Sequence, residues 1–134
     1  MTNKKLGNDF EAELCEILAN EGLWVHCLAM NKAGQPADIL AVKNKKAYLI
    51  DAKVVSTDKG FALSRVEDNQ DLSMDLWSDC GNGQAWFAVK LPSGEIYMLP
   101  HILVKAYKRV KSSLSFADIK ALGTTLEKWV IRCK

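Results

Sequence analysis

The chain has few of the residues that would mark a zinc-binding, disulfide-linked or loop-rich protein. Its 134 residues include four cysteines, three prolines and eight glycines. The cysteines at positions 15, 27, 80 and 133 form no Cys-x-x-Cys pair and have no metal-like spacing to His26 or His101. We therefore expect reduced thiols rather than a zinc site or a disulfide framework.

Long apolar segments and a strong charge of either sign are also missing. No run approaches the ~18 apolar residues of a membrane span, and the first residues lack the apolar core of a signal peptide. The formal net charge of +2 is too small to indicate a nucleic-acid partner by itself. The sequence predicts a soluble, cytoplasmic protein without membrane contact, in the host cytoplasm if it is phage-encoded, and any polyanion must bind a local patch.

The apolar residues that are present suffice for one core. Hydrophobic residues make up 49% of the chain and charged residues 25%, which fits a single domain over residues 1–134. Apolar positions at helical spacing predict an amphipathic helix from Leu6, with Gly22 at its end. The next segments predict a strand at 23–30, a loop at 31–36 and two strands around KNKK (43–46). A helix is predicted from the capping box Ser64–Glu67 to GNG (81–83), followed by a hairpin of QAWFAVKL and EIYML. The last segments predict a helix in HILVKAYKRVK and a short helix in SFADIKALG.

The order of these elements is αβββαββα, with the segment TLEKWVIRC fitting a helix and a strand equally well. This order predicts an α/β or α+β fold in which a central mixed sheet is flanked by helices.

Two aspartates lie in the predicted hairpin, where their neighbours favour burial. A two- or four-residue turn centred on Asn44-Lys45 places Asp38 directly opposite Asp51 on one face, with Cβ atoms ~4.5–5.5 Å apart. A turn of odd length would send the two side chains to opposite faces. Lys53 lies two residues beyond Asp51 and shares its face.

Two carboxylates at this distance repel each other unless a cation neutralises them. Their oxygens suit Mg²⁺ or Mn²⁺, and the backbone carbonyl of Ala52 can complete the ligand set. The alternative is a solvated hairpin end, where Asp51 and Lys53 form surface ion pairs. The apolar runs on both sides, AYLI and VV, favour an interior strand and hence the metal site.

A third acid, Glu11, borders the apolar stripe of the first helix and can face the sheet. The alternative is a capping box in which Glu11 closes onto the amide of Asn8. Glu13 borders the opposite edge of the stripe, and Glu16 points to solvent.

The set Glu11, Asp38, Asp51 and Lys53 resembles the signature of the PD-(D/E)xK nuclease superfamily. The segments GNDFE, YLIDAK, GFALSRVEDNQ and AWFAVKL…EIYMLP are most similar to RecU-type Holliday junction resolvases. This resemblance implies a restriction-endonuclease-like core of order αβββαβ. The sequence departs from the family pattern at three positions: PAD replaces adjacent Pro-Asp, Asp51 replaces the commoner glutamate and Asn69 replaces a histidine. Its loop before Asp38 is also too short for the stalk that RecU-type enzymes insert into junctions.

The resemblance also implies an activity, a cofactor and partners. It implies Mg²⁺-dependent hydrolysis of junction DNA by a homodimer, with Mn²⁺ as a possible substitute and with metal at Asp38, Asp51, Ala52 and Glu11. Lys53 would orient the attacking water or offset charge on the phosphate, and Gln70 would bond metal water or phosphate unless it is an ordinary surface residue. Binding of the DNA backbone would use Lys4, Lys5, Lys32, Lys43, Lys45 and Lys46. Residues 105–111 would add to this surface unless they form a solvated face. The tryptophans Trp24, Trp77, Trp86 and Trp129 are expected in the core.

Two other functions fit the sequence. One is an end- or flap-trimming nuclease of the same superfamily, because the four residues do not encode the shape of the substrate. The other is a catalytically silent DNA-binding or protein-interaction module, against which the intact Asp38, Asp51 and Lys53 set argues.

Overall fold

A computed structural model of the chain describes residues 3–28, 37–55 and 59–133, with only the backbone described for residues 3 and 4. The helices are α1 (Asn3–Asn20), α2 (Asp68–Asp79), α3 (His101–Lys108), α4 (Phe116–Leu122) and α5 (Leu126–Arg132). The strands are β1 (Trp24–Cys27), β2 (Ile39–Lys43), β3 (Lys46–Val54), β4 (Phe61–Ala62), β5 (Trp86–Lys90), β6 (Ile96–Pro100), β7 (Ser113–Leu114) and β8 (Thr124–Thr125), with a 3₁₀ turn at Leu63–Arg65.

The main sheet is mixed and has the strand order β1-β2-β3-β5-β6-β8 within the described residues. Strands β3 and β5 run parallel, and the other neighbours are antiparallel. A parallel pair requires a crossover connection, and α2 lies in the chain between these two strands. The predicted mixed sheet flanked by helices is therefore confirmed, and β4 with β7 forms a separate two-stranded ribbon.

Side chains alternate across the strands, so the sheet has a separate core on each face. On one face Phe10 and Leu14 of α1 pack with Ile50 of β3 and Trp129 of α5. The rings of Tyr48 and Trp86 meet Trp129 edge-on, at centroid distances of 5.1 and 5.7 Å. The opposite core contains Leu49, Phe61, Met74, Phe87, Leu99, Val104 and Ile119, among others.

The structure corrects several predicted helix ends. Helix α1 begins at Asn3, so Asn8 lies inside it and the capping-box alternative for Glu11 is wrong. The predicted capping box of Ser64 with Glu67 is also wrong, because Ser64 lies in the 3₁₀ turn and Glu67 makes no side-chain cap before α2. A true capping box occurs at Ser115 and Asp118, where each side chain bonds the other's backbone amide.

The remaining predicted elements are confirmed with slightly different limits. Strand β1 occupies four residues of the predicted 23–30, and the predicted loop 31–36 lies outside the described residues. The segment TLEKWVIRC, which the sequence left open, is mostly the helix α5. Trp129 is buried as predicted, whereas Trp24 is 60% exposed and is not a core residue.

Candidate active site

The hairpin of β2 and β3 aligns the two aspartates. Asn44 and Lys45 have φ angles of 52° and 68°, as a two-residue type I′ turn requires. From this turn the register runs to the pair Ile39 and Ile50, so the next opposed pair is Asp38 and Asp51. The backbone amide of Ala52 donates to Asp38 Oδ2 at 2.8 Å, which ties the first carboxylate to the strand that carries the second.

Lys53 lies on the same face as Asp51, as the alternation predicts. Its Nζ is 3.0 Å from Asp51 Oδ2 and donates to the backbone carbonyl of Arg65 at 3.2 Å. The contact with Oδ2 is an ion pair without well-directed hydrogen-bond geometry, and this oxygen has no other hydrogen-bond partner. Lys53 is thus held by two acceptors beside a carboxylate that is only 2% exposed.

Gln70 reaches the same carboxylate from α2. Its Nε2 donates to Asp51 Oδ1 at 3.1 Å, so the side chain faces the site rather than solvent. The other amide atom, Oε1, is buried without a hydrogen-bond partner in the protein. A buried acceptor without a donor is costly, and it marks a position where a ligand or a water is expected.

The protein alone holds more negative charge here than it neutralises. Burial, then the charge of Asp38, raises the pKa of Asp51 to about 8, and Lys53 only partly opposes the shift. Burial and the nearby Asp38 likewise raise the pKa of Glu11 to about 7. Glu11 therefore does face the aspartate pair, with Glu13 instead paired to Lys90 at 2.6 Å and Glu16 exposed as expected.

The donor set fits a hard divalent cation. Carboxylate oxygens of Asp38 and Asp51 lie together, and two oxygens, Asp51 Oδ2 and Gln70 Oε1, are buried without a directed hydrogen bond. Within the described ranges, no group of three or more His, Cys, Asp or Glu side chains is arranged to hold a metal ion by itself. Any cation would complete its coordination with waters, and Mg²⁺ usually keeps several of them.

The basic residues predicted to bind DNA are scattered around the fold. Lys45 lies in the hairpin turn and Lys43 and Lys46 flank it, and Lys46 is about 17 Å from Asp51 along β3. The Lys43 ammonium donates to the carbonyl of Glu21. Lys5 is exposed near the start of α1, whereas Lys32 and the side chain of Lys4 lie outside the described residues.

The basic run at 105–111 has a structural role. Lys105 pairs with Asp75 at 2.6 Å, Lys108 donates to the carbonyl of Val66, and Lys111 pairs with Asp118. The first two contacts hold α3 against α2 and the turn before it, which favours the structural interpretation over a DNA-binding one.

Sequence reasoning missed Arg65. Its carbonyl accepts from Lys53, and its Nη1 donates to the carbonyl of Val54 at 2.8 Å. Two features of the sequence could have pointed to it: Arg65 is one of only three arginines, and it directly follows the motif GFALS.

A family model described as archaeal Holliday junction resolvase (Hjc) matches residues 2–132. The chain belongs to this family. It is therefore a Holliday junction resolvase nuclease that acts on junction DNA, and resolvases of this kind depend on a divalent metal. The resolvase part of the predicted resemblance is confirmed, and its RecU-type branch stays a prediction.

A solved structure gives the same fold. The Holliday junction resolvase Hjc of the archaeal hyperthermophile Archaeoglobus fulgidus matches with a TM-score of 0.70 and 19% sequence identity, over 92% of this chain and 99% of that one. A comparison with curated proteins gave no match. No helix in the described segments is long and apolar enough to cross a membrane.

Proposed function

We propose that the chain cuts DNA junctions by Mg²⁺-dependent phosphodiester hydrolysis at the Asp38–Asp51 pair, with Mn²⁺ able to replace Mg²⁺. The observation that carries the proposal is the register of β2 and β3, which buries two carboxylates side by side with Lys53 on their face. Asp38 and Asp51 would hold the divalent cation, together with Glu11 and the carbonyl of Ala52. A cation there would offset negative charge on the scissile phosphate and lower the pKa of a bound water.

Lys53 and Gln70 act on the reacting atoms rather than as ligands in this proposal. The Lys53 ammonium, fixed by Asp51 and the Arg65 carbonyl, orients the attacking water and offsets charge that develops on the phosphate. Gln70 fixes Asp51 through Nε2, and its buried Oε1 would be available to accept a hydrogen bond from a water at the site.

The same proposal includes a homodimer. A junction has two strands to cut, and one copy of the chain supplies one site, so two copies related by a two-fold axis provide both nicks. An apolar groove of about 370 Å³ lies between α2 and the sheet, lined by Leu28, Leu40, Leu49, Leu76 and Trp77 with a few polar residues. Leu72 and Leu76 of α2 are 64% and 61% exposed.

We assign this groove to a second copy of the chain. Trp24 adds to the apolar surface on the side of β1, because its register partner Val42 lies two residues from the groove residue Leu40. Large exposed apolar patches on soluble domains commonly mark interfaces, and a self-complementary helix ridge with a groove beside it suits an isologous contact.

Cleavage of matched DNA substrates tests the proposed activity. Labelled four-way junction, flap and linear duplex of the same sequence are incubated with Mg²⁺, Mn²⁺ or EDTA, and Asp51→Asn serves as the control variant. We expect paired nicks in the junction, far less cutting of linear duplex and no cutting by the folded Asp51→Asn protein. Full activity of Asp51→Asn would overturn the site, and degradation of linear DNA from its ends would favour a trimming nuclease.

A further inference from the structure

A second groove, of about 620 Å³, opens beside the site on the other side of β3 and is here called the β3 groove. Its charged lining residues are Lys59 and Arg65, and its hydroxyl-bearing ones are Ser64, Ser112 and Ser113. None of the twelve described residues that line it is acidic, although the chain has 16 aspartates and glutamates. None of the twelve is aromatic either, so they offer positive charge and hydrogen-bond donors rather than a surface on which a base could stack.

Arg65 is held in a fixed position at the wall of this groove. Its Nη1 donates to the carbonyl of Val54, and its guanidinium lies 5.9 Å from the ring centroid of the fully buried Phe61. A guanidinium has five N–H donors and stays charged in proteins, so a fork of donors remains after the bond to Val54. This arrangement suits a phosphate group, which accepts two parallel hydrogen bonds.

Distant parts of the chain build the rest of the groove. Strand β4 pairs with β7, and the amide of Leu63 donates to the carbonyl of Ser112 at 2.9 Å. Gly60 permits this approach, since a Cβ at that position would lie 2.2 Å from the carbonyl oxygen of Leu114. The serines of residues 112–113 are thereby placed next to Ser64 and Arg65.

The groove is continuous with the active site. Ala52 lines it, and the amide of the same residue donates to Asp38. Arg65 also belongs to both, because its carbonyl accepts from the Lys53 ammonium while the residue lines the groove and its Nη1 bonds the lining residue Val54. Ala52 and Arg65 therefore connect the aspartate pair to the groove.

We infer that the β3 groove binds the sugar–phosphate backbone of the cleaved strand, with Arg65 as the phosphate-binding residue next to the scissile bond. The inference rests on the proposed function and adds the path of the cleaved strand to it. Contacts of this kind position a strand without reading its sequence, which agrees with the lack of aromatic residues among the described lining residues. Arg65 then has two contacts with the reaction: its carbonyl fixes Lys53, and its guanidinium fixes the strand.

The inference is tested by asking whether the Arg65 side chain and one phosphate of the cleaved strand contribute to binding through the same contact. Single phosphates on either side of the cleavage position in a junction are replaced by neutral methylphosphonates. Binding is measured by titration in Ca²⁺, and cleavage is measured separately in Mg²⁺. We expect Arg65→Gln to weaken junction binding about tenfold and to lower the slope of log affinity against log salt by about one. Arg65→Gln should also be insensitive to one methylphosphonate that weakens the wild-type protein.

Matched variants separate this role from a structural one. Arg65→Lys keeps the positive charge but loses the fork of donors, so it should keep the wild-type salt slope and bind more weakly than the wild type. Arg132→Gln on α5 should keep the wild-type sensitivity to every methylphosphonate. Arg132 suits the comparison because it lies far from the groove. The carbonyl of its neighbour Cys133 accepts a hydrogen bond from Asn44 in the β2–β3 turn, which is at the other end of β3. If Arg65→Gln keeps the full methylphosphonate profile, the inference is overturned even where the wild type resolves junctions. If the wild type cuts no junction, the proposed function fails, and the binding profile still decides whether the groove holds DNA.

Discussion

At the scale of single residues, the buried pair of Asp38 and Asp51 lowers the stability of the metal-free protein. Asp51 is almost fully buried beside Asp38, and Lys53 neutralises only part of the paired charge. In the metal-free protein the native state therefore binds a proton at Asp51 more tightly than the unfolded chain does. A divalent cation relieves the same repulsion, so metal binding and folding are expected to support each other.

The first prediction concerns the pH dependence of stability. The pKa of Asp51 rises from 3.8 in the unfolded chain to about 8 in the native state, so between these values the native state binds more protons than the unfolded state. Unfolding free energy without metal should then fall as pH rises from 5 to 8, by on the order of 3 kcal/mol. Urea titrations in EDTA at several pH values measure this.

Asp51→Asn is the control for this pH dependence. The variant lacks the buried titrating group, so it should match the wild type near pH 5 and be more stable near pH 8. Adding Mg²⁺ at pH 8 should raise the unfolding temperature of the wild type and leave that of Asp51→Asn nearly unchanged. Parallel pH profiles for the two proteins would contradict the shifted pKa.

The second prediction separates Lys53 from the metal ligands. Lys53→Ala should lower single-turnover cleavage by roughly 10²–10³-fold while binding of metal and junction DNA is retained, because the ammonium acts mainly on charge that develops in the transition state. Single-turnover rates and Ca²⁺-supported binding measure the two effects. An equal loss of binding and of rate would make Lys53 a binding residue only.

At the scale of secondary structure elements, the β2–β3 hairpin is the part that the sequence predicts best. Asn44-Lys45 gives a short even turn, and the turn fixes every cross-strand pair up to Asp38 and Asp51. The conformation of the turn thus determines that Asp38 and Asp51 lie opposite each other. The register and the face of Lys53 could both be derived before any tertiary contact was known.

Other elements could not be derived because distant residues determine them. Ser64 and Glu67 have the spacing of a capping box, but the bond between Leu63 and Ser112 pulls this segment into a 3₁₀ turn. Trp24 has apolar neighbours in sequence, yet it lies on the edge strand β1 and remains exposed. The role of Arg65 depends on Val54 and Phe61, which only the fold brings to its side chain.

The third prediction tests the contact between β4 and β7. Gly60 has a φ of +82°, and any Cβ there would overlap the carbonyl of Leu114. Gly60→Ala should cost about 3 kcal/mol or more of unfolding free energy, because steric overlap adds to backbone strain. Chemical denaturation measures the loss.

Gly94→Ala is the matched control for this substitution. Gly94 has a similar φ of +93°, but a Cβ there meets nothing within 4 Å. Only the backbone strain of about 1–2 kcal/mol should remain. Equal losses in the two variants would show that the approach of β4 to β7 is not tight.

At the scale of the whole molecule, the site and the apolar groove share α2. Gln70 bonds Asp51, while Leu72 and Leu76 lie two and six residues further along the same helix and are exposed. His101 braces this helix from α3, since its Nε2 is 2.7 Å from Asp71 Oδ1. A dimer formed through α2 would therefore place each active site next to the interface.

The fourth prediction concerns this dimer. Leu76→Asp should shift the protein to a monomer, because a carboxylate buried in an apolar interface is strongly unfavourable. Sedimentation measures the mass, and a cruciform plasmid distinguishes paired cuts from single nicks. The monomer should bind metal normally and lose paired cutting.

Ile131→Asp is the control for Leu76→Asp. Ile131 of α5 is 60% exposed, on the helix that packs over the opposite face of the sheet. This variant should stay dimeric and cut both strands. A wild-type protein that sediments as a monomer, or a Leu76→Asp protein that remains a dimer, would remove α2 from the interface.

The pairing of β4 with β7 also bears on the synthesis of the chain. All the proposed site residues have been translated once Gln70 is added, but β4 cannot close the β3 groove until residues 113–114 leave the ribosome. The core under β3 and β5 is completed later still, by Trp129. We therefore expect a nascent chain to carry all the proposed nuclease residues before these contacts can form, and to cut DNA only after translation has passed Trp129.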